Sequence, residues 1–525
     1  MSRSGGEAVA RALAAHGVEL AWGIPGTHNL EIYAHLTAAG IRHVLPRHEQ
    51  GAAFASDGFA RVTARPGVCI TTSGPAVLNA ATALGQAYSD SVPVLLVSAG
   101  MPLRRPGRGT GHLHETRDLT GALEAIVGVS HRVGSVEEIP VAVAQAFATM
   151  TSGRPRPQHI EIPFDVLEER ADVAIPAPVA IAVPEPDGAA LDAAAALLAG
   201  ARRPAVIAGG GAQGAAGALA AVAERLDAPV VTTFNGKGAF DEDHPLSGGT
   251  GLHRWPVHEL VGESDVLLVV GSELAPADLW EGPLPEGPRI VRIDVDPAQL
   301  VTNAVPEVAV AGDADRALRG LLGRLGDGPG GVEAGRAARW AERLRDDARA
   351  AGARWDWILD AIGAALGRSG VLAGDSTMVC YYGAAARVRR HVPRSFLYPT
   401  GFGTLGYGLP AAIGAKLAKP DERVLALLGD GGIMFTLPEL ASAAALGIAL
   451  PVVVVDNAGY GEIRDEMQAR GDDPLAVDIA PPDFVAVARG LGCHAVHVED
   501  AGAFADALET AFGADRPTLV HVPGA

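Results

Sequence analysis

Cysteine is scarce in this chain of 525 residues: Cys69, Cys380 and Cys493 stand far apart and are odd in number. They make neither a disulfide framework nor a Cys-x-x-Cys metal site, and read as small buried apolar residues in a reducing compartment. Lysine is as rare, confined to Lys237, Lys416 and Lys419, which leaves few candidates for Schiff-base chemistry. No apolar run reaches the roughly 18 residues of a membrane span. The first residues, MSRSGGEAVARALAAHGVE, are amphipathic and lack the apolar stretch of a signal peptide. A cytoplasmic protein with no membrane partner is therefore expected. Runs of Lys and Arg are missing too, and the formal net charge is −19. An acidic body repels phosphate backbones, so no nucleic-acid partner is expected.

What the chain does have is apolar residues (48%) and 66 glycines and 37 prolines, dispersed without a collagen-like period. The length suits two to four domains of about 100–200 residues. Helical patterns such as GEAVARALAAHG alternate with short buried runs such as VPVLLVSAG, DVLLVVGSE and PVVVV. This alternation predicts an α/β protein of three consecutive parallel-sheet domains. Two stretches rich in Pro or Gly, ADVAIPAPVAIAVPEPDG and GDGPGGVEAG, read as linkers. They divide the chain into residues 1–172, 188–328 and 337–525. The first and third segments are of similar size and pattern.

The strongest chemical signal lies in the third segment. Strand RVLALL ends in Gly429-Asp430-Gly431-Gly432, and strand PVVVV ends in Asp456-Asn457. Ligand sites of parallel sheets lie beyond the carboxyl ends of their strands. A carboxylate, an amide oxygen and a nearby backbone carbonyl are hard oxygen ligands, suited to Mg²⁺ or Ca²⁺ holding a phosphorylated ligand. The glycines let the backbone approach phosphates at a helix start. GDGG alone is also an ordinary strand-to-helix turn; the Asn at the matching strand end argues for the site.

This pattern resembles the diphosphate–metal motif of thiamine diphosphate-dependent enzymes of the acetolactate synthase and 2-oxo acid decarboxylase family. The resemblance implies pyrimidine-binding, central Rossmann-like and diphosphate-binding domains, in that order. It implies Asp430, Asn457 and the carbonyl of Gly459 as Mg²⁺ ligands. Gly429, Gly431, Gly432, Tyr460 and Gly461 would line the thiamine diphosphate, with Ser376 and Thr377 in a second diphosphate loop. Arg47-His48-Glu49-Gln50-Gly51-Ala52 is similar to the family's activating-glutamate junction, so Glu49 would hydrogen-bond N1′ of the aminopyrimidine. Thr72-Ser73-Gly74-Pro75 resembles the family's SGPG turn, and Pro25, Ser73 and Asn79 would lie on the cofactor. In Gly401-Phe402-Gly403-Thr404-Leu405-Gly406, Gly403 and Leu405 would hold the pyrimidine, with Leu405 wedging the cofactor into a V. In this family the site is shared between the first domain of one subunit and the third of another, which implies a homodimer or homotetramer.

The central segment carries Gly209-Gly210-Gly211-Ala212-Gln213-Gly214, a dinucleotide-like fingerprint, but the next strand lacks an acidic end for a ribose. It resembles the central domains of acetolactate synthase relatives, some of which bind FAD; FAD is the less favoured expectation here. Within the family the stretches GHLHETRDLTG and NAGYGEIR resemble 2-ketoarginine decarboxylases, which implies conversion of 5-guanidino-2-oxopentanoate to 4-guanidinobutanal and CO₂. His28 and His114 would relay protons, with Glu115 beside them. Glu462, with Glu115 or Asp465, would pair with a guanidinium. Pyruvate decarboxylases place a catalytic Glu where this chain has Ile463. Two other readings stand: an acetolactate synthase-like carboligase, and a non-catalytic cofactor-binding relative.

Overall fold

The computed structural model describes residues 2–104, 109–179, 181, 183–328 and 330–524. The expected linkers include residues 180, 182 and 329, which lie outside the described residues. Three six-stranded sheets follow one another, every pairing within them parallel. A two-stranded antiparallel ribbon joins Ser2–Ser4 to Arg170–Asp172. Inner strands such as Val266–Val270, Val424–Gly429 and Pro451–Asp456 are near-continuous apolar runs, as expected where helices cover both faces of a sheet. Among the described residues no helix is long and apolar enough to cross a membrane.

The first sheet runs, in space, Arg42–Val44, Leu20–Gly23, Gly67–Thr71, Val94–Gly100, Gln158–Pro163, Val129–Arg132. The third runs Phe396–Leu397, Val371–Gly374, Val424–Gly429, Pro451–Asp456, Thr518–Pro523, His494–His497. Numbered within each sheet, both orders are 2-1-3-4-6-5. The central sheet has the order 3-2-1-4-5-6, that of a dinucleotide-binding fold. The similarity of the first and third segments is thus a shared topology.

One apolar core spans the first and third sheets. Trp22, Phe54, Leu84 and Leu96 belong to the same cluster as Tyr407, Leu428, Val454 and Phe484. Its seam is the contact of helix Glu49–Thr63 with helix Gly408–Ala418. Glycine is required there by close approach: a Cβ on Gly58 would lie 2.2 Å from Ala411 O, and one on Gly414 2.0 Å from Ala55 O. A buried polar knot flanks the seam. Arg61 pairs with Asp57 at 2.6 Å and Asp90 at 2.8 Å, and the Tyr407 hydroxyl donates to Asp57 at 2.7 Å. The central domain has its own cores and is pinned to the third domain by a buried ion pair. Lys237 Nζ donates to both Glu242 oxygens at 2.7 Å, and Glu242 also accepts from the Arg390 amide at 2.8 Å.

Candidate active site

In an open parallel sheet the crevice opens where strand order reverses. In the first sheet that point lies between Leu20–Gly23 and Gly67–Thr71. The chain leaves the first of these toward Pro25 and His28 and the second toward Ser73 and Gly74. His28 Nδ1 lies 2.6 Å from Ser73 Oγ, and its ring stacks on Phe164 at 4.8 Å and meets His114 edge-on at 5.4 Å. Burial, then the neighbouring His114 and His112, pull the His28 pKa below the usual imidazole range. His114 takes a left-handed backbone (φ 62°) and packs against the Gly74 turn, where a Cβ would meet His114 O at 2.4 Å. Its Nδ1 is buried without a hydrogen-bond partner among the described residues. Ser73, Gly74 and His114 line a cavity of about 460 Å³ that continues to Arg117, Arg132 and Glu161.

Glu49 is the first residue of its helix, capped by His48, whose ring accepts from the Gln50 amide at 3.1 Å. Its carboxylate is buried and accepts from Asn79 Nδ2 at 2.9 Å. Two of the expected first-domain residues are therefore joined directly. Pro25 is exposed on the loop that carries His28.

In the third sheet the reversal lies between Val371–Gly374 and Val424–Gly429. The parallel register sets Gly429 beside Val455, so Asp430 and Asn457 emerge together, and the Asn457 amide reaches Asp430 Oδ1 at 3.4 Å. Asn457 turns its carbonyl oxygen toward Gly459 O at 2.8 Å and Asp430 Oδ1 at 3.2 Å, while its Nδ2 faces Met378 Sδ at 3.8 Å. Asp430 Oδ2 is buried without a hydrogen-bond partner among the described residues. Three oxygens with no donor among them repel one another; they fit a hard divalent cation, and a flipped Asn457 amide is the alternative that would relieve them. Burial, and then the Asp456 carboxylate, hold the Asp430 carboxyl above its ordinary range, and a bound cation would reverse that. The surrounding glycines leave room for a bulky anion's approach. A Cβ on Gly429 would sit 2.6 Å from Thr377 Oγ1, and one on Gly431 2.9 Å from the Tyr460 ring. Ser376 and Thr377 are half-buried at the neighbouring strand end, and Gly461 is buried beside Asn457.

The turn carrying Gly403 and Leu405 is held by three acceptors. Gly406 N donates to Asp375 Oδ2 at 2.9 Å, Gly408 N to the same oxygen at 3.3 Å, and Thr404 Oγ1 to Gln86 at 3.0 Å. Gly401 N donates to Asp90 at 2.9 Å. Gly403 needs glycine for its left-handed φ of 65°, since a Cβ there would touch nothing. Asp375 is buried, and burial pushes its carboxyl up to about 6 against the pull of these amides. Sequence reasoning read Ser376 and Thr377 from this loop and missed Asp375. The signal was present, since Gly374-Asp375 ends its strand as Gly429-Asp430 ends the next.

The carboxylates expected to meet a guanidinium lie on a loop and on a helix. The Glu115 carboxylate accepts from the backbone amides of Gly109, Thr110, Gly111 and His112, which lower its pKa and commit it to its own loop. Glu462 lies in helix Gly461–Ala469 and accepts from Tyr382 at 2.7 Å and Tyr381 at 3.1 Å. Asp465 is exposed on the same helix. Among the described residues no hydrogen bond or ring contact connects Glu49, His28, Ser73 or His114 with Asp430, Asn457 or Gly459. In the central Gly209–Gly214 turn, Gly209 N and Gly211 N are spent on Val270 O and Gly271 O.

The chain matches three family models in sequence. These are the thiamine pyrophosphate enzyme N-terminal TPP binding domain over residues 3–122, the central domain over 191–321, and the C-terminal TPP binding domain over 372–522. It is 44% identical over 526 residues to the probable 2-ketoarginine decarboxylase AruI of Pseudomonas aeruginosa, covering 98% of this chain and 93% of that protein. It is 33% identical over 551 residues to the probable acetolactate synthase large subunit of Methanocaldococcus jannaschii, covering 99% and 91%. The acetolactate synthase isozyme 2 large subunit of Escherichia coli is 33% identical over 546 residues, covering 99% and 95%.

Proposed function

Since the chain belongs to the thiamine pyrophosphate enzyme family, we propose that it decarboxylates 5-guanidino-2-oxopentanoate to 4-guanidinobutanal and CO₂, using Mg²⁺ and thiamine diphosphate. The observation that carries the substrate is Glu462, a carboxylate without an ion-pair partner among the described residues, immediately after the loop Asn457–Gly461. The 2-ketoarginine decarboxylase named among the relatives supports it.

Asp430, Asn457 and the Gly459 carbonyl would hold the Mg²⁺. Gly429, Gly431, Gly432, Ser376, Thr377, Tyr460 and Gly461 would surround the diphosphate, and Pro25, Ser73, Gly403 and Leu405 the pyrimidine and thiazolium. Bound thiamine diphosphate supplies an electron sink for the carbon that loses CO₂. Asn79 engages Glu49 Oε2, which would leave Oε1 for a hydrogen bond to the cofactor ring. His28, tied through Nδ1 to Ser73 and kept neutral near pH 7 by burial, both takes up and returns a proton to the substrate. His114 stands second to it, and Glu115 shapes the loop that presents His114. Glu462, with Asp465 one turn along, attracts the cationic end.

The two halves of the site are completed between copies, as a cytoplasmic homodimer or homotetramer. Leu30, Leu45, Leu78, Phe402, Met434 and Phe435 are exposed apolar side chains that such an interface could cover. Residues 1–172, 188–328 and 337–525 are the proposed domains. The relatives named as acetolactate synthases favour one second reading, ligation of two 2-oxo acid units. Incubation with Mg²⁺, cofactor and either the guanidino acid or pyruvate separates them. Release of CO₂ with 4-guanidinobutanal supports decarboxylation, acetolactate from pyruvate supports ligation, and neither product sinks both. Replacing Glu49 by Gln is expected to abolish hydrogen–deuterium exchange at the cofactor C2; unchanged exchange would remove Glu49 from its role.

A further inference from the structure

We infer that the central domain takes part in substrate selection. Trp280, with Tyr381 and Tyr382 of the third domain, forms an aromatic box around Glu462 that receives a planar guanidinium. This deepens the substrate reading above and rests on it.

The box begins with an irregular helix. Neighbouring residues of an α-helix point about 100° apart and do not share a target. Residues Val379–Ala384 form a π-helix instead. There the Tyr381 and Tyr382 hydroxyls converge on the two oxygens of one carboxylate, Glu462 Oε2 and Oε1. Their rings meet edge-on at 4.7 Å. Burial, and then Glu462, push both phenol pKa values up, so both remain donors.

Trp280 closes the side facing the central domain. It meets Tyr381 at 6.0 Å and Tyr382 at 5.9 Å, edge-on to both. Its Nε1 already donates to Ala277 O at 2.9 Å, so its 45% exposure presents apolar and π surface, not an unmet donor. A column braces it from behind. His253 lies 4.4 Å from Trp280, Phe234 stacks on His253 at 4.8 Å, and Tyr398 stacks on Phe234 at 5.0 Å.

Charge inside the box is of one sign. The nearby guanidinium groups are engaged elsewhere: Arg464 with Asp478 at 2.8 Å, and Arg354 over the Trp355 ring at 3.8 Å. Glu462 keeps a free lone pair on each oxygen beyond the two phenol bonds, which suits the parallel N–H pair of a guanidinium. Aromatic faces attract the same cation, and its flat shape fits between rings where a hydrated ammonium does not. Gly461 ties this box to the metal loop, since a Cβ there would lie 2.4 Å from Asn457 Nδ2.

The test measures kcat/KM on the Mg²⁺–thiamine diphosphate holoenzyme for 5-guanidino-2-oxopentanoate and for 2-oxohexanoate, its uncharged counterpart. The ratio of the two is expected to fall about 100-fold in Glu462→Gln and about tenfold in Tyr382→Phe and Trp280→Ala, chiefly through KM. Trp280→Phe should restore much of it. A merely structural role would depress both substrates together, and an unchanged ratio overturns the box. If the wild type shows no preference for the cationic acid, the substrate reading falls. The box is then decided by 4-guanidinobutanoate as inhibitor of whichever 2-oxo acid is turned over. Equal inhibition of wild type and Glu462→Gln overturns it, and weaker inhibition of the variant upholds it.

Discussion

Replacing Asp375 by Asn tests whether a buried charge is maintained for the sake of the cofactor turn. The carboxylate is buried and accepts from the amides of Ser376, Gly406 and Gly408. Its pKa nevertheless rises from 3.8 to about 6, so desolvation outweighs those bonds. Keeping it ionised costs the folded state about 3 kcal/mol once the pH is above both values. That cost is absent below pH 3.8 and complete above about pH 6, so the group's contribution to stability falls as pH rises. Asparagine escapes the cost, but it accepts through one oxygen and turns an NH₂ group toward backbone donors. Each donor left unpaired costs about 1–3 kcal/mol. The two effects nearly cancel at pH 8, whereas at pH 5 the gain shrinks and the loss does not. The gap between wild type and variant should therefore widen by about 1 kcal/mol from pH 8 to pH 5. Since the first and third domains share one core and should melt together, this is about 2 °C or less in Tm. Calorimetry of the cofactor-free protein at the two pH values reads it directly. A gap that stays constant with pH would refute the argument that Asp375 carries a buried charge. The turn also loses a designed acceptor, so thiamine diphosphate should bind the variant more weakly at pH 8 despite equal stability, as isothermal titration would show.

Other substitutions test other links. Gly414→Ala should destabilise by about 3 kcal/mol in denaturant titration, because the new methyl has no space against Ala55 O and helix Gly408–Ala418 must move off helix Glu49–Thr63. Asn79→Ala should slow cofactor C2 exchange about 10- to 100-fold by freeing the Glu49 carboxylate to turn, a range set by one hydrogen bond to a charged group. His159 is buried between Ser98 at 2.9 Å and Ser130 at 2.8 Å, and burial pulls its pKa down to about 3. The unfolded chain binds the extra proton first, so stability is lost as pH falls below about 6.5, by about 2 kcal/mol at pH 5. His159→Gln should remove that part of the acid sensitivity in a Tm–pH series.

Features written in short stretches of sequence were the legible ones. Three parallel α/β units follow from buried runs such as PVVVV alternating with helical patterns, and Asp430 and Asn457 declare themselves because each ends such a run. Glu49 was legible only through the family resemblance, since a Glu at a helix start is common. Asp375 ends its strand as Asp430 does, yet it escaped because the partners that give it a role, the backbone amides of Gly406 and Gly408, lie far along the chain. The loop around Glu115, which folds back so that four amides surround the carboxylate, was not legible either. Trp280 could not be read at all as a site residue. It reaches Tyr381 and Tyr382 only once the central and third domains are packed.

The π-helix at Val379–Ala384 has a consequence for how such a protein could change its diet. A π-turn contains one residue more than an α-turn, so it behaves like an insertion held in register by its ends. Deleting one residue there would restore the regular winding and swing Tyr381 or Tyr382 about 100° off Glu462. The metal loop, Glu49 and the Asp375 turn lie outside the deleted stretch and keep their own residues. A single codon lost or gained in this stretch would thus alter what the carboxylate can hold while every group proposed for the chemistry stays unaltered.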